Sequence, residues 1–426
     1  MTVSPFHAVA AVVALAALLG WVNHRFLRLP HTSALAFGGA LASLLVVGID
    51  YAIPGAGLAE SFSVLLDKLN FSQTVMSGML SFLLFAGALH VDLGQLRTCR
   101  WPVSVLASVG VLVSTLIVAA GFKGVALLAG FDLPFLWCVV FGAIISPTDP
   151  VAVLGILQVA KVPETVEATV AGEALFNDGA AVVIFSVVLA AAMAGAEITP
   201  WGAGGQFLIE AAGGAAVGLA IGWGAHRLMR AVDDYRIEVM LTLAVVMVGY
   251  AVCELLHLSG PIAMACAGLL MGNHVVHTAM SESVRDHVLK FWAVIDEILN
   301  SVLFLLIGLE AVALHLRWEW LLPAMLAVPL VLFARAVSVA LPLPLWRRTL
   351  PFRLALPVLT WGGLRGGVSI ALVLSLPATE HRELMLMATW LVVMFSVVVQ
   401  AMTLKPLVDR LTPRPAPGAG EVSAAG

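Results

Sequence analysis

Apolar stretches of about 20 residues recur along the whole 426-residue chain, separated by short polar segments. A helix of that length spans the roughly 30 Å hydrocarbon layer of a bilayer. The period-two alternation typical of a membrane β-barrel is absent. The pattern therefore predicts an all-α polytopic membrane protein with about 13 transmembrane helices, near 5–23, 33–49, 74–91, 101–121, 133–157, 164–193, 203–226, 237–256, 260–273, 288–313, 319–342, 350–377 and 384–404.

Composition agrees with this pattern and excludes an ordinary soluble domain. Hydrophobic residues make up 61% of the chain and charged residues only 11%, whereas about a quarter of the residues in a soluble domain are charged. The lipid bilayer is therefore the expected environment, and no nucleic-acid partner is expected. The formal net charge of −4 adds little, because it is summed over two aqueous faces.

The basic residues predict the orientation of the helices. With the N-terminus outside, 16 of the 22 lysines and arginines fall on the cytoplasmic side, and the four outside are Lys68, Lys123, Arg317 and Arg382. Such a bias is typical of cytoplasmic loops, and it places the C-terminus in the cytoplasm. Arg25 and Arg28 follow the first apolar run, so we interpret that run as a retained helix and not as a cleaved signal peptide.

We predict one transmembrane domain over residues 1–410 and a disordered tail over 411–426, where proline, glycine and alanine dominate. Nothing in the sequence indicates a cofactor or the catalytic residues of an enzyme. The function is therefore expected to reside in the membrane domain, and the informative residues are the polar ones that hydrocarbon should exclude.

Four places within the apolar helices carry such residues. An ionisable group at the centre of a membrane helix costs roughly 2.5–3.5 kcal/mol, so it usually lines a cavity, pairs with a partner or moves an ion. The four places are SPTDP at 146–150, GEALFNDGAAVVIF at 172–185, Arg335 and Arg365.

The segment at 146–150 sets Asp149 between two prolines. Pro147 and Pro150 each remove a backbone N–H and disfavour helical geometry in the preceding residue. Unwound backbone at membrane depth is tolerated only where it lines a cavity or is buried in protein. Carbonyl oxygens beside a carboxylate suit a cation without its water. The alternative is a simple proline kink with a serine or aspartate as helix N-cap.

The next predicted helix carries three more polar groups. Glu173 and Asn177 are four residues apart and share one helix face, and Asp178 lies about 100° further round. If Asp178 faces Asp149, the two carboxyl groups cannot ionise independently, and their protonation is coupled. A proton and a cation then compete for the same site.

Two arginines are expected to balance these acids. Arg335 is the candidate partner of Glu173, because a lone guanidinium in hydrocarbon needs a counter-charge. Arg365 lies in GGLRGG at 362–367, where four glycines let backbones approach closely or let a helix unwind. The interrupted fifth and twelfth helices occupy corresponding positions in two six-helix halves, which indicates an inverted-repeat transporter fold.

These residues stand in motifs that resemble those of the monovalent cation:proton antiporter-1 family, the NhaP-type sodium/proton exchangers of bacteria. The joint occurrence of TDP, ND and GLRG is highly specific. The matching stretches cover nearly the whole chain in order: SPTDPVAV (146–153), GEALFNDGAAVV (172–183), FWAVIDEILNSVLFLLIGLE (291–310), ARAVSV (334–339), WGGLRGGVSIAL (361–372) and VVQAMTLKPLV (398–408).

The resemblance implies that Asp178 exchanges the cation for a proton, and that Asp149 and the Thr148 carbonyl contribute to a Na⁺ site. It also implies that Glu173, paired with Arg335, holds Asn177 so that the amide does not ligate the ion. Arg365 is expected to stabilise the crossing of the two interrupted helices.

The family further implies a homodimer in the bacterial plasma (inner) membrane, electroneutral one-for-one exchange and a role in pH homeostasis. Two positions depart from the family pattern: Ala174 replaces a small hydroxyl residue found in many relatives, and Ala86 replaces a carboxylate. Water or Ser146 is then expected to complete the ion shell, and the choice among Na⁺, Li⁺ and K⁺ stays open.

The nearest alternative is a K⁺/H⁺ exchanger of the same family. A cation channel would need rings of carbonyls or charges but no competition with protons. An intramembrane aspartyl protease would also place two aspartates on neighbouring helices, but it would need neither the flanking prolines nor the two arginines. We therefore expect a transporter of monovalent cations and protons, and not an enzyme.

Overall fold

The computed structural model describes residues 5–53, 78–160, 162–194, 200–312, 317–346 and 349–412. Within these ranges the chain is helical and forms no β-strand. The helices, in chain order, are α1 Pro5–Val22, α2 His31–Ala52, α3 Leu80–Leu89, α4 Leu93–Thr98, α5 Arg100–Leu128, α6 Phe135–Ile145, α7 Val151–Ala160, α8 Glu164–Ala194, α9 Pro200–Met229, α10 Tyr235–Leu255, α11 Gly260–Leu270, α12 Glu282–Leu309, α13 Trp318–Ala340, α14 Phe352–Trp361, α15 Gly367–Leu374 and α16 Arg382–Leu411.

The prediction of an all-α fold with two interrupted helices is confirmed. Each of the thirteen predicted segments overlaps one of these helices or a pair of half-helices. The fifth predicted segment consists of α6 and α7, and the twelfth consists of α14 and α15. Of the third segment, residues 74–77 lie outside the described part of the chain.

Nine helices in the described part of the chain are long and apolar enough to span a membrane. The apolar helices α3, α6 and α14 are shorter, and two of these are halves of an interrupted helix. From residue 413 onward the predicted tail lies outside the described residues, so its disorder stays a prediction. The membrane orientation stays a prediction as well.

Short polar side chains begin several of the helices. The Asp92 carboxylate accepts hydrogen bonds from the backbone N–H groups of the first turn of α4, and Asp234 accepts one from the first turn of α10. Ser259 caps α11, with Pro261 at its first turn. These residues satisfy N–H groups that a helix leaves without a partner, and they place the polar connections at the ends of the bundle.

The half-helix α6 lies at the centre of the bundle. Its residues from Val140 to Ile145 are buried, and Phe141 stacks on Phe122 of α5 with ring centroids 4.1 Å apart. Gly142 packs against the backbone of Thr115 on α5. The neighbouring helices therefore shield the backbone where α6 ends, as unwound backbone in a membrane requires.

A line of glycines on α9 forms a close seam with α11. Gly214 lies against the Ser259 carbonyl, and Gly218 lies against the Ala263 backbone. Small residues at four-residue spacing let two membrane helices pack with their backbones nearly in contact. This glycine seam lies within one chain, so ordinary helix packing accounts for it.

We predict that Gly218→Ala lowers the melting temperature in detergent. A β-carbon at Gly218 would lie only 2.8 Å from the carbonyl carbon of Ala263, and backbone atoms there cannot yield as a flexible side chain would. Overpacking of this kind costs about 1–3 kcal/mol. Gly224→Ala on the same helix is the matched control, because a β-carbon at that position meets no atom of the described residues within 4 Å. Equal melting temperatures for the two variants would contradict the seam.

Candidate functional site

The first interruption separates α6 from α7 at residues 146–150, where the chain is not helical. The Asp149 carboxylate accepts a hydrogen bond of 2.9 Å from the Val151 N–H, so this aspartate does cap α7, as the simple alternative proposed. The cap uses Oδ1 only, which leaves the second carboxylate oxygen for another role. The proline-flanked segment thus interrupts the helix, and its aspartate also caps the half-helix that follows.

The second interruption, between α14 and α15, crosses the first through backbone contact. The Asp149 N–H donates a 2.8 Å hydrogen bond to the Leu364 carbonyl. Gly366 packs directly against the Asp149 carboxylate, so that a β-carbon there would collide with it. This close approach is a reason for glycine at position 366.

Arg365 binds the free end of α6 from the second interruption. Its guanidinium donates hydrogen bonds to the carbonyls of Ser146 and Pro147, the latter at 2.9 Å, and the residue is 2% exposed. These carbonyls belong to the C-terminal end of a half-helix, which carries partial negative charge. A buried cation at this point therefore satisfies the unwound backbone and neutralises the helix end, as predicted for the crossing.

Glu173 and Arg335 form the predicted ion pair. Arg335 donates from Nη1 to Glu173 Oε1 and from Nη2 to Oε2 at 2.9 Å, and its Nε donates to the Leu359 carbonyl at 3.0 Å. Both side chains are buried. The pair links α8, α13 and α14, and its two-pronged geometry is the arrangement in which a buried pair compensates best for lost hydration.

The expectation that Glu173 holds Asn177 is wrong. Both Glu173 oxygens bind Arg335, and the Asn177 amide nitrogen instead donates a 2.6 Å hydrogen bond to the Thr148 hydroxyl. The Thr148 N–H faces the Asn177 carbonyl oxygen at 3.5 Å. The asparagine therefore ties α8 to the interrupted segment and does not point at the cavity described next.

Thr148, Asp149 and Asp178 line a common cavity of about 280 Å³, which has room for several water molecules. Asp178 is 7% exposed, and its Oδ1 has no hydrogen-bond partner within the described part of the chain. Ala86 and Ala174 also line this cavity. The two positions that depart from the family pattern therefore lie where additional oxygen ligands would have reached the same space.

Ser146 lies apart from these residues. It is buried, its hydroxyl donates a 3.0 Å hydrogen bond to the Ala143 carbonyl, and it is not among the residues that line the cavity. The expected contribution of Ser146 to an ion shell therefore finds no support in this arrangement, because the hydroxyl completes the last turn of α6.

Sequence reasoning missed three polar residues that line the cavity: His90, Asp296 and Asn300. Asp296 and Asn300 are one turn apart on α12 and share a helix face. A signal was present, since an aspartate and an asparagine four residues apart within a predicted apolar helix are as unusual as the pair at 173 and 177. The resemblance covered this segment, but no role was assigned to either residue.

The fold and the site define a class of protein: a polytopic helical membrane protein in which two interrupted helices cross beside buried carboxylates, the arrangement of secondary transporters. Comparison with known proteins is consistent with this class. The profile of the family described as "Sodium/hydrogen exchanger, transmembrane" matches residues 13–410. The chain therefore belongs to the sodium/hydrogen exchanger family.

Relatives and solved structures of this family resemble the chain over most of its length. The Na⁺/H⁺ antiporter NhaP of Pseudomonas aeruginosa is 43% identical over 95% of this chain and 96% of its own. The antiporter NhaH of Halobacillus aidingensis is 33% identical over 91% and 93%. The fold is similar to that of the sodium proton antiporter MjNhaP1 of Methanocaldococcus jannaschii, with a TM-score of 0.75 at 20% identity, covering 96% of this chain and 98% of that one.

We predict that Glu173→Gln strongly destabilises the protein. The substitution leaves the Arg335 guanidinium buried without a counter-charge, which typically costs about 3–5 kcal/mol. Thermal melting in detergent measures the loss. The double variant Glu173→Gln/Arg335→Gln should recover part of it, because the two changes remove a charge each and are coupled. Melting temperatures that fall additively in the double variant would show that the pair is not a unit.

Proposed function

We propose that this protein exchanges Na⁺ for H⁺ across the membrane by alternating access. The observation that carries the proposal is the Asp178 carboxylate, which lines the cavity with one oxygen that has no hydrogen-bond partner among the described residues. A buried carboxylate without a partner must gain a proton or a cation to be tolerated. Membership of the sodium/hydrogen exchanger family and the Na⁺/H⁺ antiporter names of its relatives support the same conclusion.

Asp178, Asp149 and the Thr148 carbonyl form the Na⁺ site in this proposal. Hard oxygen ligands of this kind suit a small monovalent cation that has left its water. Water in the cavity completes the ion shell in this proposal. The Ser146 hydroxyl is bound to the Ala143 carbonyl, and the side chains of Ala86 and Ala174 have no oxygen that could bind the ion.

The supporting residues fix this site without binding the ion. Asn177 holds the Thr148 side chain, and Arg365 holds the end of α6 through two carbonyls. Glu173 and Arg335 brace the helices that carry them. Each of these contacts joins two groups of the protein and uses no ion as a partner, so they preorganise the ligands.

The charges at the crossing support electroneutral one-for-one exchange. The two arginines supply two positive charges. The carboxylates of Glu173, Asp149 and Asp178 supply three negative charges when ionised. Counted over these five groups at the crossing, without the more exposed Asp296, an empty site carries one net negative charge, which is costly to move through a dry barrier. One proton or one Na⁺ neutralises it, and the site then switches sides in the loaded state only.

The residues that line the cavity with Asp178 include His90, Leu154 and Asp296. In the predicted orientation these three residues lie toward the cytoplasmic ends of their helices. We therefore infer that the structure represents a state in which the site is approached from the cytoplasm.

The protein is also proposed to be a homodimer, which light scattering in detergent tests against the 44.7 kDa mass of one chain.

We predict that Asp178→Asn abolishes exchange while the protein stays folded. The amide cannot take up a proton or compensate the charge of a cation. Proteoliposomes that contain a pH dye report exchange as alkalinisation of an acid interior after a Na⁺ pulse, and Li⁺ and K⁺ pulses give the selectivity. Asp132→Asn is the matched control, because that exposed carboxylate pairs with Lys123 away from the cavity. Exchange by Asp178→Asn at the wild-type rate would refute the assignment.

Competition also predicts the pH dependence of Na⁺ affinity. Where the site is protonated, Na⁺ must displace a proton, so the apparent KM for Na⁺ rises as pH falls, by at most about tenfold per pH unit. A Na⁺ titration of the initial rate at several pH values measures this slope. The maximal rate should change little, and a KM independent of pH would be incompatible with shared occupancy. A channel would in addition give current that collapses an imposed membrane potential.

A further inference from the structure

Asp296 is an acid in the cavity that the exchange scheme above does not use. It lies on α12, and it lines the same cavity as His90 at the end of α3 and the two acids Asp149 and Asp178. Asn300 and Leu303 also line this cavity, and their spacing from Asp296 puts all three on one face of the helix. Asp296 is only partly buried, whereas Asp178 is almost completely buried.

A second observation concerns Asn300, which lies one turn further along α12. The Asn300 side chain is 4% exposed, and it lies beside the Asp296 carboxylate on the wall of the cavity. Asp296 and Asn300 therefore form one polar face of α12 that borders the cavity.

The neighbouring acid on the same helix provides a contrast. Glu297 does not line the cavity. It is largely exposed and lies 3.5 Å from His31 of α2. Two successive acids of α12 thus face different surroundings, and only Asp296 adds negative charge to the cavity.

We propose that Asp296 is a cation-steering residue, which raises the affinity of the Asp178 site for Na⁺ arriving from the cytoplasm without ligating the bound ion. This inference rests on the proposed Na⁺/H⁺ exchange. A carboxylate on the wall of a narrow cavity focuses the field and concentrates cations there. Because Asp296 acts through charge, it stabilises a proton and a Na⁺ ion at the site equally.

That equality predicts an unusual pH dependence for Asp296→Asn. At alkaline pH the exchange site is deprotonated, and the loss of the charge should raise the KM for Na⁺ about three- to tenfold. At acid pH the weaker Na⁺ binding is offset by weaker proton binding, so the KM ratio of variant to wild type falls toward one. The pH of half-maximal activity should move to lower pH, and the maximal rate should stay within twofold.

The experiment uses inside-out membrane vesicles, with Na⁺ titrated on the cytoplasmic face at several pH values. Asp296→Glu should behave like the wild type, and Glu297→Gln should leave both KM and the pH profile unchanged. Added choline should reduce the difference between Asp296→Asn and the wild type, because salt screens the field.

Three results would overturn the proposal. The first is a KM of Asp296→Asn that is unchanged at alkaline pH. The second is a raised KM whose ratio to the wild-type KM is the same at every pH, as expected for a direct ligand of Na⁺. The third is a large loss of maximal rate. Asp178→Asn in the same vesicles separates this inference from the proposed function. If that variant is inactive while Asp296→Asn matches the wild type, steering fails and the exchange function stands. If Asp178→Asn is fully active, the proposed exchange site itself fails.

Discussion

The central constraint on this structure is that a carboxylate inside a membrane protein must be neutralised. The helix α8 carries two such acids, five residues apart, and neutralises them differently. Glu173 has a permanent partner in Arg335, bound through both oxygens. Asp178 lines a cavity, and one of its oxygens has no hydrogen-bond partner in the ranges that the structure describes. Burial makes an isolated charge costly. Glu173 therefore has a structural role, whereas Asp178 must be neutralised by a proton or a cation from solution.

The two interrupted helices follow from the same requirement applied to the backbone. Prolines interrupt the helix at 146–150 and glycines interrupt it at 362–366, and each interruption leaves backbone groups without helical partners. The two segments satisfy one another. The Asp149 N–H binds the Leu364 carbonyl, and Arg365 binds two carbonyls of the first segment. The crossing is therefore a mutually stabilised unit that neither segment could form alone.

The sequence predicted the helices, both interruptions and the Glu173–Arg335 pair, because each is anomalous in hydrocarbon and has few ways to be accommodated. It did not predict the contacts that depend on how side chains of different helices face each other. Helical spacing places Glu173 beside Asn177 on α8. The Asn177 amide nevertheless donates its hydrogen bond to Thr148 in the interrupted segment. Asp296 was missed for a similar reason, since spacing alone could not show that one face of α12 borders the cavity.

Some charged groups at the crossing are held by hydrogen bonds, whereas Asp178 keeps one oxygen without such a bond in the described structure. This difference indicates why one proton or one Na⁺ ion at Asp178 controls the proposed cycle. The groups that keep their charge, Glu173, Arg335 and Arg365, hold helices together through fixed hydrogen bonds. In the proposed cycle the group that changes charge is Asp178, and it lies at the cavity. A proton or Na⁺ can therefore come and go without breaking the contacts that maintain the crossing. In this proposed cycle the contacts of the crossing are kept, and the net charge of the site decides whether it can cross the dry barrier.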